Sequence, residues 1–393
     1  MNKVKFGIIG MGNQGSHYAN LLKDGKVENG VLCALCDNKE SKLQYAKDKY
    51  KDLENVAYFD NYLALLDSKL CDAILVETPH YQHPEIVMEC LKRGINVICD
   101  KPAGVYTKQV REMNELAAQS KVKFTMMFNQ RTNCVYRKMQ EMIEAKMLGE
   151  IQRVTWIITD WYRTQAYYDN GSWRATWAGE GGGVLINQCP HQIDLIQWIL
   201  GQMPKKVSAH CHYGMWHDIE VEDDVTAYFE YENGATGVFI TTTGEAPGTN
   251  RLEISGSKGK LLCEGNDLIF YKNEIDSIYN CQTSDKGFDK PKCEKIIVET
   301  DGENPQHAGI LNNFANAILG LETLFIDGVE GIKGVELMNA IELSGWQNGA
   351  MISLPVDEDL YLSELNVRRK NSRLKEEKEE KILDTSNSFG SKN

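Results

Sequence analysis

A histidine and a lysine are the side chains best suited to chemistry in this sequence. His191 lies in the segment GGGVLINQCPHQID, residues 181–194, and Lys101 lies in ICDKPAG, residues 98–104. A neutral imidazole, with an intrinsic pKa of about 6.5, can take the proton of a hydroxyl group. A lysine in a partly desolvated cleft is a local cation that stabilises negative charge developing on an oxygen. This pair predicts proton transfer at an alcohol, with His191 as the base and Lys101 polarising the hydroxyl.

Local patterning around His191 predicts a neutral ring. Pro190 is typical of the first turn of a helix, and the residues after it keep helical periodicity. The helix dipole at that end disfavours an imidazolium. If the helix includes position 187, then Asn187, His191 and Asp194 share one face, Asp194 would orient the ring, and Asn187 would hold a substrate hydroxyl. The alternative is a satisfied histidine in the core.

A glycine-rich turn near the start of the chain predicts a dinucleotide site. Gly10, Gly12 and Gly15 have G-x-G-x-x-G spacing after a buried strand and at the start of a helix, whose N-terminus stabilises phosphate. Asp37 ends the next strand, where an acid accepts hydrogen bonds from the ribose hydroxyls and repels a 2′-phosphate. We therefore expect NAD rather than NADP, with a glycine turn that binds no ligand as the alternative.

The elements that must position these residues fall into two domains. Strand-like and helix-like segments alternate through residues 1–128, which predicts an α/β Rossmann domain with a doubly wound parallel sheet. Residues 129–365 contain longer, half-exposed strands separated by turns. They predict an α+β domain with a large, mostly antiparallel open sheet and helices on one face. Two late helices, in residues 307–320 and 334–349, could pack back toward the first domain, and residues 366–393 read as a charged, partly disordered tail.

The bulk properties exclude several classes of protein. The chain has 393 residues and a formal net charge of −13, so a nucleic-acid partner is not expected. Its eleven cysteines are scattered and odd in number, as in a cytoplasmic protein with reduced thiols. No apolar run is long enough for a membrane span. His210 and His212 share one face of a strand but are expected to be surface residues, so no metal site is predicted.

Four motifs in this order resemble the Gfo/Idh/MocA family of oxidoreductases: the glycine turn, VETPHYQH, ICDKPAG and GGGVLINQCPHQIDLIQWILG. The resemblance covers residues 1 to about 365. It places the family's acid–lysine–proline motif on Asp100, Lys101 and Pro102, and it implies that the lysine lies near the nicotinamide and the substrate hydroxyl. It also implies a cis bond between Lys101 and Pro102.

The sequence departs from the motifs of the family at two positions. Its T-P-N-x-x-H pattern falls on 78–83, with His80 in place of asparagine, and its D-x-x-x-H pair falls on Asn187 and His191. His83 is either a cofactor contact or the N-terminal cap of a helix. The predicted cofactor-binding residues are Gly10, Gly12, Asn13, Gln14, Gly15, Asp37, Thr78, Pro79, His80, His83, Asp100 and Lys101.

The segment DWYRTQAYYDNGSWRATW, residues 160–177, is rich in aromatic residues and arginine. Such side chains suit the C–H face and the hydroxyl edge of a sugar, but they are also enriched at subunit contacts. This segment, together with NQCPH, resembles sequences from the branch of the family that acts on sugars and glycosides, including enzymes of glycoside 3-oxidation. The predicted substrate-binding residues are Lys101, Asn129, Arg163, Tyr167, Trp173, Arg174, Asn187 and His191.

These features predict an NAD-dependent dehydrogenase that acts on a secondary hydroxyl of a sugar, glycoside or cyclitol. One alternative is a glycoside-processing enzyme that retains its NAD, oxidises the sugar and cleaves it by elimination. An alternative of another class is a non-catalytic sensor that binds NAD and sugar. An exposed antiparallel sheet would also allow a homo-oligomer, either a dimer or a tetramer.

Overall fold

The N-terminal part of the chain forms a parallel sheet. The computed structural model describes residues 3–373 and residue 375. The strands of the first sheet are β1 (Val4–Ile9), β2 (Gly30–Cys36), β3 (Ala57–Phe59), β4 (Ala73–Val76), β5 (Asn96–Cys99) and β6 (Phe124–Met126). The helices between them are α1 (Asn13–Lys23), α2 (Glu40–Lys49), α3 (Tyr62–Asp67), α4 (His83–Lys92) and α5 (Thr107–Gln119). The strand order is β3-β2-β1-β4-β5-β6, so the predicted doubly wound sheet is confirmed.

The point where the strand order reverses determines where a ligand can bind. β1 lies between β2 and β4: the chain runs from β1 to β2 and β3 on one side and then crosses to β4, β5 and β6 on the other side. The loops that follow β1, β4 and β5 begin at Gly10, Glu77 and Asp100. Because the strands are parallel, these loops meet at one edge, which is the ligand-binding edge of open α/β sheets.

The second sheet lies in the C-terminal part of the chain. Its order within the described residues is β14-β13-β12-β11-β7-β10-β9-β8-β15. The pair β7–β10 is parallel and the other neighbours are antiparallel, so the predicted mostly antiparallel sheet is confirmed. The strands are β7 (Ile151–Ile158), β8 (Lys206–Tyr213), β9 (Glu222–Glu230), β10 (Thr236–Thr242), β11 (Asn250–Gly256), β12 (Gly259–Glu264), β13 (Asp267–Asn273), β14 (Cys293–Ile297) and β15 (Ile352–Ser353).

Helices of the C-terminal part connect this sheet with the first domain. They are α6 (Cys134–Glu144), α7 (Gln165–Tyr168), α8 (Pro190–Leu200), α9 (Ser277–Thr283), α10 (Gln306–Ile318), α11 (Gly331–Trp346) and α12 (Glu358–Lys370). Asn312 on α10 accepts a hydrogen bond from the main-chain N–H of Glu28 at 2.9 Å, and Asn339 on α11 accepts one from Thr107 at 3.0 Å. The two late helices therefore pack on the first domain, as the sequence indicated.

The end of the described chain is helical across the predicted domain boundary. Helix α12 runs through the predicted boundary at residues 365/366. Beyond it, the ammonium of Lys375 donates hydrogen bonds to the main-chain oxygens of Tyr168 and Arg174, at 3.0 and 2.8 Å. The first part of the predicted tail is thus fastened to the aromatic segment, whereas residues 376–393 lie outside the described residues. In the described range, no helix combines the length and the apolar character needed to cross a bilayer.

Candidate active site

The glycine-rich turn between β1 and α1 has the shape of a phosphate cradle. Gly10 has a φ of +102°, and a Cβ placed on it would lie 2.1 Å from the main-chain oxygen of Glu77. A Cβ on Gly15 would lie 1.9 Å from the main-chain oxygen of Gly10. A Cβ on Gly12 would meet no atom within 4 Å. The chain's own packing requires Gly10 and Gly15, while Gly12 leaves open the space at the N-terminus of α1 where a phosphate binds. The turn therefore fits a dinucleotide.

Asp37 connects the ends of the first two strands at the cofactor edge. Its carboxylate accepts hydrogen bonds from the main-chain N–H groups of Met11 and Lys39, both at 2.8 Å. A carboxylate has about four acceptor positions, so Asp37 keeps capacity for the ribose hydroxyls. The acid thus lies where the sequence placed it, next to the glycine turn.

Lys101 follows β5 and reaches the second domain. Its ammonium group donates a hydrogen bond to the main-chain oxygen of Asn187 at 3.1 Å. The Lys101–Pro102 peptide bond is cis, which confirms that prediction. The lysine is therefore held between the cofactor edge of the first sheet and the loop that precedes α8.

Asp100 lies buried behind Lys101 and fixes the loop that carries it. Its carboxylate accepts hydrogen bonds from the Tyr18 hydroxyl at 2.8 Å and from the Lys101 main-chain N–H at 2.6 Å. Burial and the neighbouring Asp100 raise the pKa of Glu77 well above its ordinary value. Burial by itself would raise the pKa of Asp100. The hydrogen bond from Glu77 and the charge of Lys101 outweigh burial, so the pKa of Asp100 is lowered. An ionised Asp100 therefore keeps a negative charge next to the lysine.

His191 is the second residue of α8, which begins at Pro190 as the sequence indicated. Burial and the nearby charge of Lys101 lower the pKa of His191 to about 3. Its Nδ1 atom is buried and has no hydrogen-bond partner in the described part of the chain. The ring is therefore neutral at physiological pH. An unpartnered buried nitrogen is unusual for a histidine with a purely structural role and is typical of a group that meets a ligand.

Two expectations about the surroundings of His191 were wrong. Asn187 is not part of α8, because the turns 183–187 and 184–189 close before Pro190, which has no N–H to continue the ladder. Asp194 does not orient the ring of His191. It accepts two hydrogen bonds from Arg131, at 2.8 and 2.6 Å, and one from Gln197.

Glu180 is a carboxylate of this site that the sequence analysis missed. Its side chain is 1% exposed, and it accepts hydrogen bonds from the Asn187 amide and from the main-chain N–H of Ala175 at 2.5 Å. The guanidinium of Arg174 lies 3.8 Å away. Burial raises the pKa of Glu180, and these donors act against that shift. Glu180 belongs to a loop without periodicity, so no sequence pattern connects it with position 187.

The four predicted substrate residues of the aromatic segment pack against one another, and Tyr167 contacts Asn187. The Tyr167 hydroxyl accepts hydrogen bonds from Arg174 at 2.9 Å and from Asn187 at 3.2 Å. The guanidinium of Arg174 lies 4.6 Å from the ring centres of both Tyr167 and Trp173. Arg163 lies on the Tyr167 ring too, at 5.4 Å, but donates to the main-chain oxygen of Tyr162. Tyr167 and Arg174 thus meet at the Asn187 amide, Trp173 packs on Arg174, and Arg163 packs on Tyr167.

The loop after β4 is clamped by its two histidines. His83 is the first residue of α4, and its two ring nitrogens lie 2.7 Å from the main-chain oxygens of Thr78 and Pro102. It therefore joins the loops after β4 and β5 and caps no helix. The Nδ1 atom of His80 lies 3.1 Å from the main-chain oxygen of Glu180, and burial lowers its pKa well below the ordinary value. His80 thus places a neutral ring between the cofactor loop and the loop of Glu180.

Gln306 and His307, at the start of α10, lie beside the predicted site residues Asn129 and Gln14. Asn129 is buried and donates to the Gln306 side chain at 2.5 Å, so it supports this helix start. The Nε2 atoms of His307 and Gln14 lie 3.1 Å apart. Burial lowers the pKa of His307 to about 4. His307, which the sequence analysis also missed, places a neutral imidazole beside the glycine turn.

His210 and His212 lie on β8, as expected. His212 lies 3.4 Å from Asp224, and His217, which follows β8, lies 3.0 Å from Asp223. In residues 3–373 and 375 there is no group of three histidine, cysteine or acidic side chains arranged to hold a metal.

Comparison with known proteins identifies the family. Residues 4–128 match the model of an oxidoreductase family with an NAD-binding Rossmann fold, and residues 136–262 match the Gfo/Idh/MocA C-terminal domain. The chain belongs to the Gfo/Idh/MocA family of oxidoreductases. The resemblance predicted from the four motifs and the NAD cofactor are thereby confirmed.

The names of two relatives describe enzymes that act on a polyol and on a glycoside. The chain is 26% identical to a myo-inositol 2-dehydrogenase of Thermotoga maritima over 66% of this chain and 75% of that one. It is 27% identical to a D-glucoside 3-dehydrogenase of Escherichia coli over 52% of this chain and 60% of that one.

A solved structure shares the fold. The WlbA dehydrogenase of Bordetella pertussis, in complex with NADH and UDP-GlcNAcA, has a TM-score of 0.75 at 24% identity. The match covers 91% of this chain and all of that one. At this identity the likeness concerns the fold alone.

Proposed function

We propose that this oxidoreductase transfers a hydride between NAD and a secondary hydroxyl of a sugar, glycoside or cyclitol. The observation that carries the proposal is the meeting of Lys101 with Asn187 and His191. The ammonium of Lys101 donates to the main chain of Asn187, and its charge helps to lower the pKa of His191. A cation and a neutral imidazole therefore lie together at the cofactor edge of the first sheet.

Lys101 and His191 have separate roles at the substrate hydroxyl group. Bound NAD supplies the hydride acceptor. Lys101 stabilises the negative charge that develops on the substrate oxygen, and neutral His191 accepts the hydroxyl proton. The lowered pKa of His191 keeps the ring neutral before the transfer, so that its nitrogen can accept the proton. In the reverse direction the same ring returns a proton to the oxygen.

The substrate class follows from the surfaces beside this pair. Trp173 and Tyr167 offer aromatic faces, and Arg174, Asn187 and Glu180 offer polar groups around the Tyr167 hydroxyl. This combination suits a ring with an apolar face and a polar edge. The inositol and glucoside dehydrogenases among the relatives support the same class.

A panel of sugars, cyclitols and glycosides with NAD tests the proposal through the nicotinamide absorbance. We expect turnover with at least one member and a loss of at least a hundredfold in Lys101→Ala and His191→Ala, with NAD binding retained. Glycoside cleavage without net NADH would support the elimination route instead. Binding of NAD and sugar without turnover would support a sensor. Release of NAD from the denatured protein would show whether the cofactor is retained.

We also propose that copies of the chain associate through the open face of the second sheet. Tyr228 on β9 lies on that face and is 37% exposed. Light scattering behind size exclusion tests this, and a monomer at micromolar concentration would contradict it.

A further inference from the structure

Asn187 offers a substrate one defined hydrogen-bonding atom. Its side-chain nitrogen donates to Glu180 and, at 3.2 Å, to the Tyr167 hydroxyl. Both amide hydrogens are therefore used inside the protein. Within the described residues the Oδ1 atom has no partner, and it is not among the buried atoms without partners. The Oδ1 atom of Asn187 is therefore an accessible hydrogen-bond acceptor.

Glu180 decides this orientation. An amide can present either its NH₂ or its oxygen to a neighbour, and an ionised carboxylate accepts only the NH₂. The neighbouring Ala175 N–H and Arg174 guanidinium also present donors to the Glu180 carboxylate. Rotation of the Asn187 amide would bring two oxygens together inside a buried site, which is costly. Asn187 is therefore held with its oxygen away from Glu180.

Tyr167 offers the complementary atom. Its hydroxyl oxygen accepts hydrogen bonds from Arg174, Asn187 and Gln188, at 2.9, 3.2 and 3.3 Å. The two nearer donors, Arg174 and Asn187, fill the two lone pairs of this oxygen, and with Gln188 as the third donor no acceptor in the described part of the chain takes the hydroxyl proton. The hydroxyl proton of Tyr167 is therefore available to a ligand beside the Asn187 oxygen.

We propose that Glu180 is a positioning residue that makes Asn187 an acceptor and Tyr167 a donor for one hydroxyl of the substrate. This rests on the proposed function, because the hydroxyl belongs to the sugar or cyclitol that reacts beside Lys101. Only a group that both donates and accepts satisfies the two atoms. A keto or O-methyl group at that position leaves the Asn187 oxygen unpaired, and a deoxy position leaves both atoms unpaired, so the site selects a free hydroxyl there.

Glu180→Gln tests the positioning role without changing the size of the side chain. A glutamine can offer its NH₂ to the Asn187 oxygen, and the amide of Asn187 then loses its fixed orientation. We expect KM for the best substrate to rise at least tenfold, a smaller change in kcat, and an unchanged Kd for NAD. Glu220→Gln is the matched control, because Glu220 also accepts a main-chain N–H of this segment, from Trp177 at 2.7 Å, without contacting Asn187.

Substrate analogues identify the hydroxyl. Deoxy and O-methyl analogues at each carbon, other than the reacting one, should show a position at which the wild type discriminates at least tenfold. Glu180→Gln and Tyr167→Phe should lose that discrimination. Tyr168→Phe should keep it, because the Tyr168 hydroxyl bonds to Thr243 instead.

The outcomes separate this inference from the proposed function. If the wild type turns over a sugar and Glu180→Gln keeps both its KM and its discrimination, the positioning role is wrong. If no member of the panel reacts with the wild type, the proposed function fails, and the ¹⁵N–¹H signals of the Asn187 side-chain amide decide the orientation. Signals that shift downfield against free asparagine and move in Glu180→Gln support the fixed amide, and free-asparagine signals overturn it.

Discussion

Arg131 donates two hydrogen bonds to Asp194, at 2.8 and 2.6 Å, and both side chains are 1% exposed. Arg131 also donates to Glu330 at 3.0 Å. The pair joins the loop after β6 to α8, so it holds the helix that carries His191 against the first domain. Within the described residues neither side chain forms a hydrogen bond with His191, so the pair fixes the position of the helix rather than the orientation of the ring.

Loss of one partner of this pair should destabilise the protein. Asp194→Ala leaves the buried guanidinium of Arg131 with only Glu330 as a charged partner, and we expect a loss of about 3–5 kcal/mol in the free energy of unfolding. Urea unfolding followed by circular dichroism measures it. The kcat of the folded fraction should stay close to that of the wild type, because Asp194 bonds to Arg131 and Gln197. A large loss of kcat with unchanged stability would instead show that Asp194 acts on His191.

The acid limb of kcat/KM should come from a carboxyl group rather than from His191. His191 has a pKa of about 3 and stays neutral above that pH. Glu180 has a raised pKa, caused by burial and opposed by Arg174, Asn187 and Lys375. Glu180 gains a proton as the pH falls through that value, and a protonated carboxyl can then donate to a rotated Asn187 amide. We expect KM to rise toward acid pH in the wild type.

Glu180→Gln should flatten this acid rise, while Glu220→Gln should retain it. Steady-state kinetics from pH 4 to 8 measures both variants. A rise in KM that survives in Glu180→Gln would assign the titration to another group.

Gly12 and Gly15 should respond differently to a methyl group. Gly12→Ala adds its Cβ to open space, so we expect wild-type stability but a Kd for NAD at least about tenfold higher, or 1.4 kcal/mol. Gly15→Ala places its Cβ 1.9 Å from the Gly10 oxygen and should reduce the thermal midpoint as well. Calorimetric titration with NAD and thermal unfolding distinguish the two. Equal NAD affinity in Gly12→Ala and the wild type would exclude this turn as the phosphate site.

Glu222 should make stability depend on pH. It lies buried under the glycine run, accepts hydrogen bonds from the N–H groups of Gly183 and Leu185, and has its pKa raised to about 7 by burial. The folded state therefore holds its proton more tightly than the unfolded state. The stability contributed by this group is full below the ordinary pKa near 4.5 and is lost as the pH rises through about 7.

Glu222→Gln should remove this loss, which is about 3 kcal/mol for a shift of this size. The glutamine oxygen can still accept from both N–H groups, since both bond to Oε1 of Glu222. Free energies of unfolding at pH 5 and pH 8 provide the comparison. An equal pH dependence in the variant and the wild type would show that Glu222 does not titrate in this range.

Much of the architecture followed from local rules. The glycine spacing placed the cofactor turn because G-x-G-x-x-G after a strand demands a tight turn and a helix start, and Pro190 marked the start of α8 because it lacks an N–H. The alternation of strands and helices predicted the order of the first sheet, since short right-handed crossovers leave few topologies. Lys101 and His191 were found in the same way, from motifs that each occupy one short stretch.

The residues that surround Lys101 and His191 could not be predicted from such local rules. Asp194 shares a helix face with His191, yet it pairs with Arg131, 63 positions away. Glu180 and His307 have no motif, and they reached the site only because a loop and the start of α10 fold onto the first domain. Hydrogen bonds between distant segments are selected by three-dimensional packing, which periodicity along the chain does not encode.

The sequence by itself determined the two sheets, the NAD turn and the lysine and histidine suited to alcohol chemistry, because each depends on neighbours within a few residues. The tertiary structure decided which groups surround them. It supplied a carboxylate at Glu180 where position 187 has an amide, and it turned that amide so that its oxygen faces away from the buried acid. The physical reason is that a buried carboxylate must be met by donors, and only the folded chain brings those donors to it.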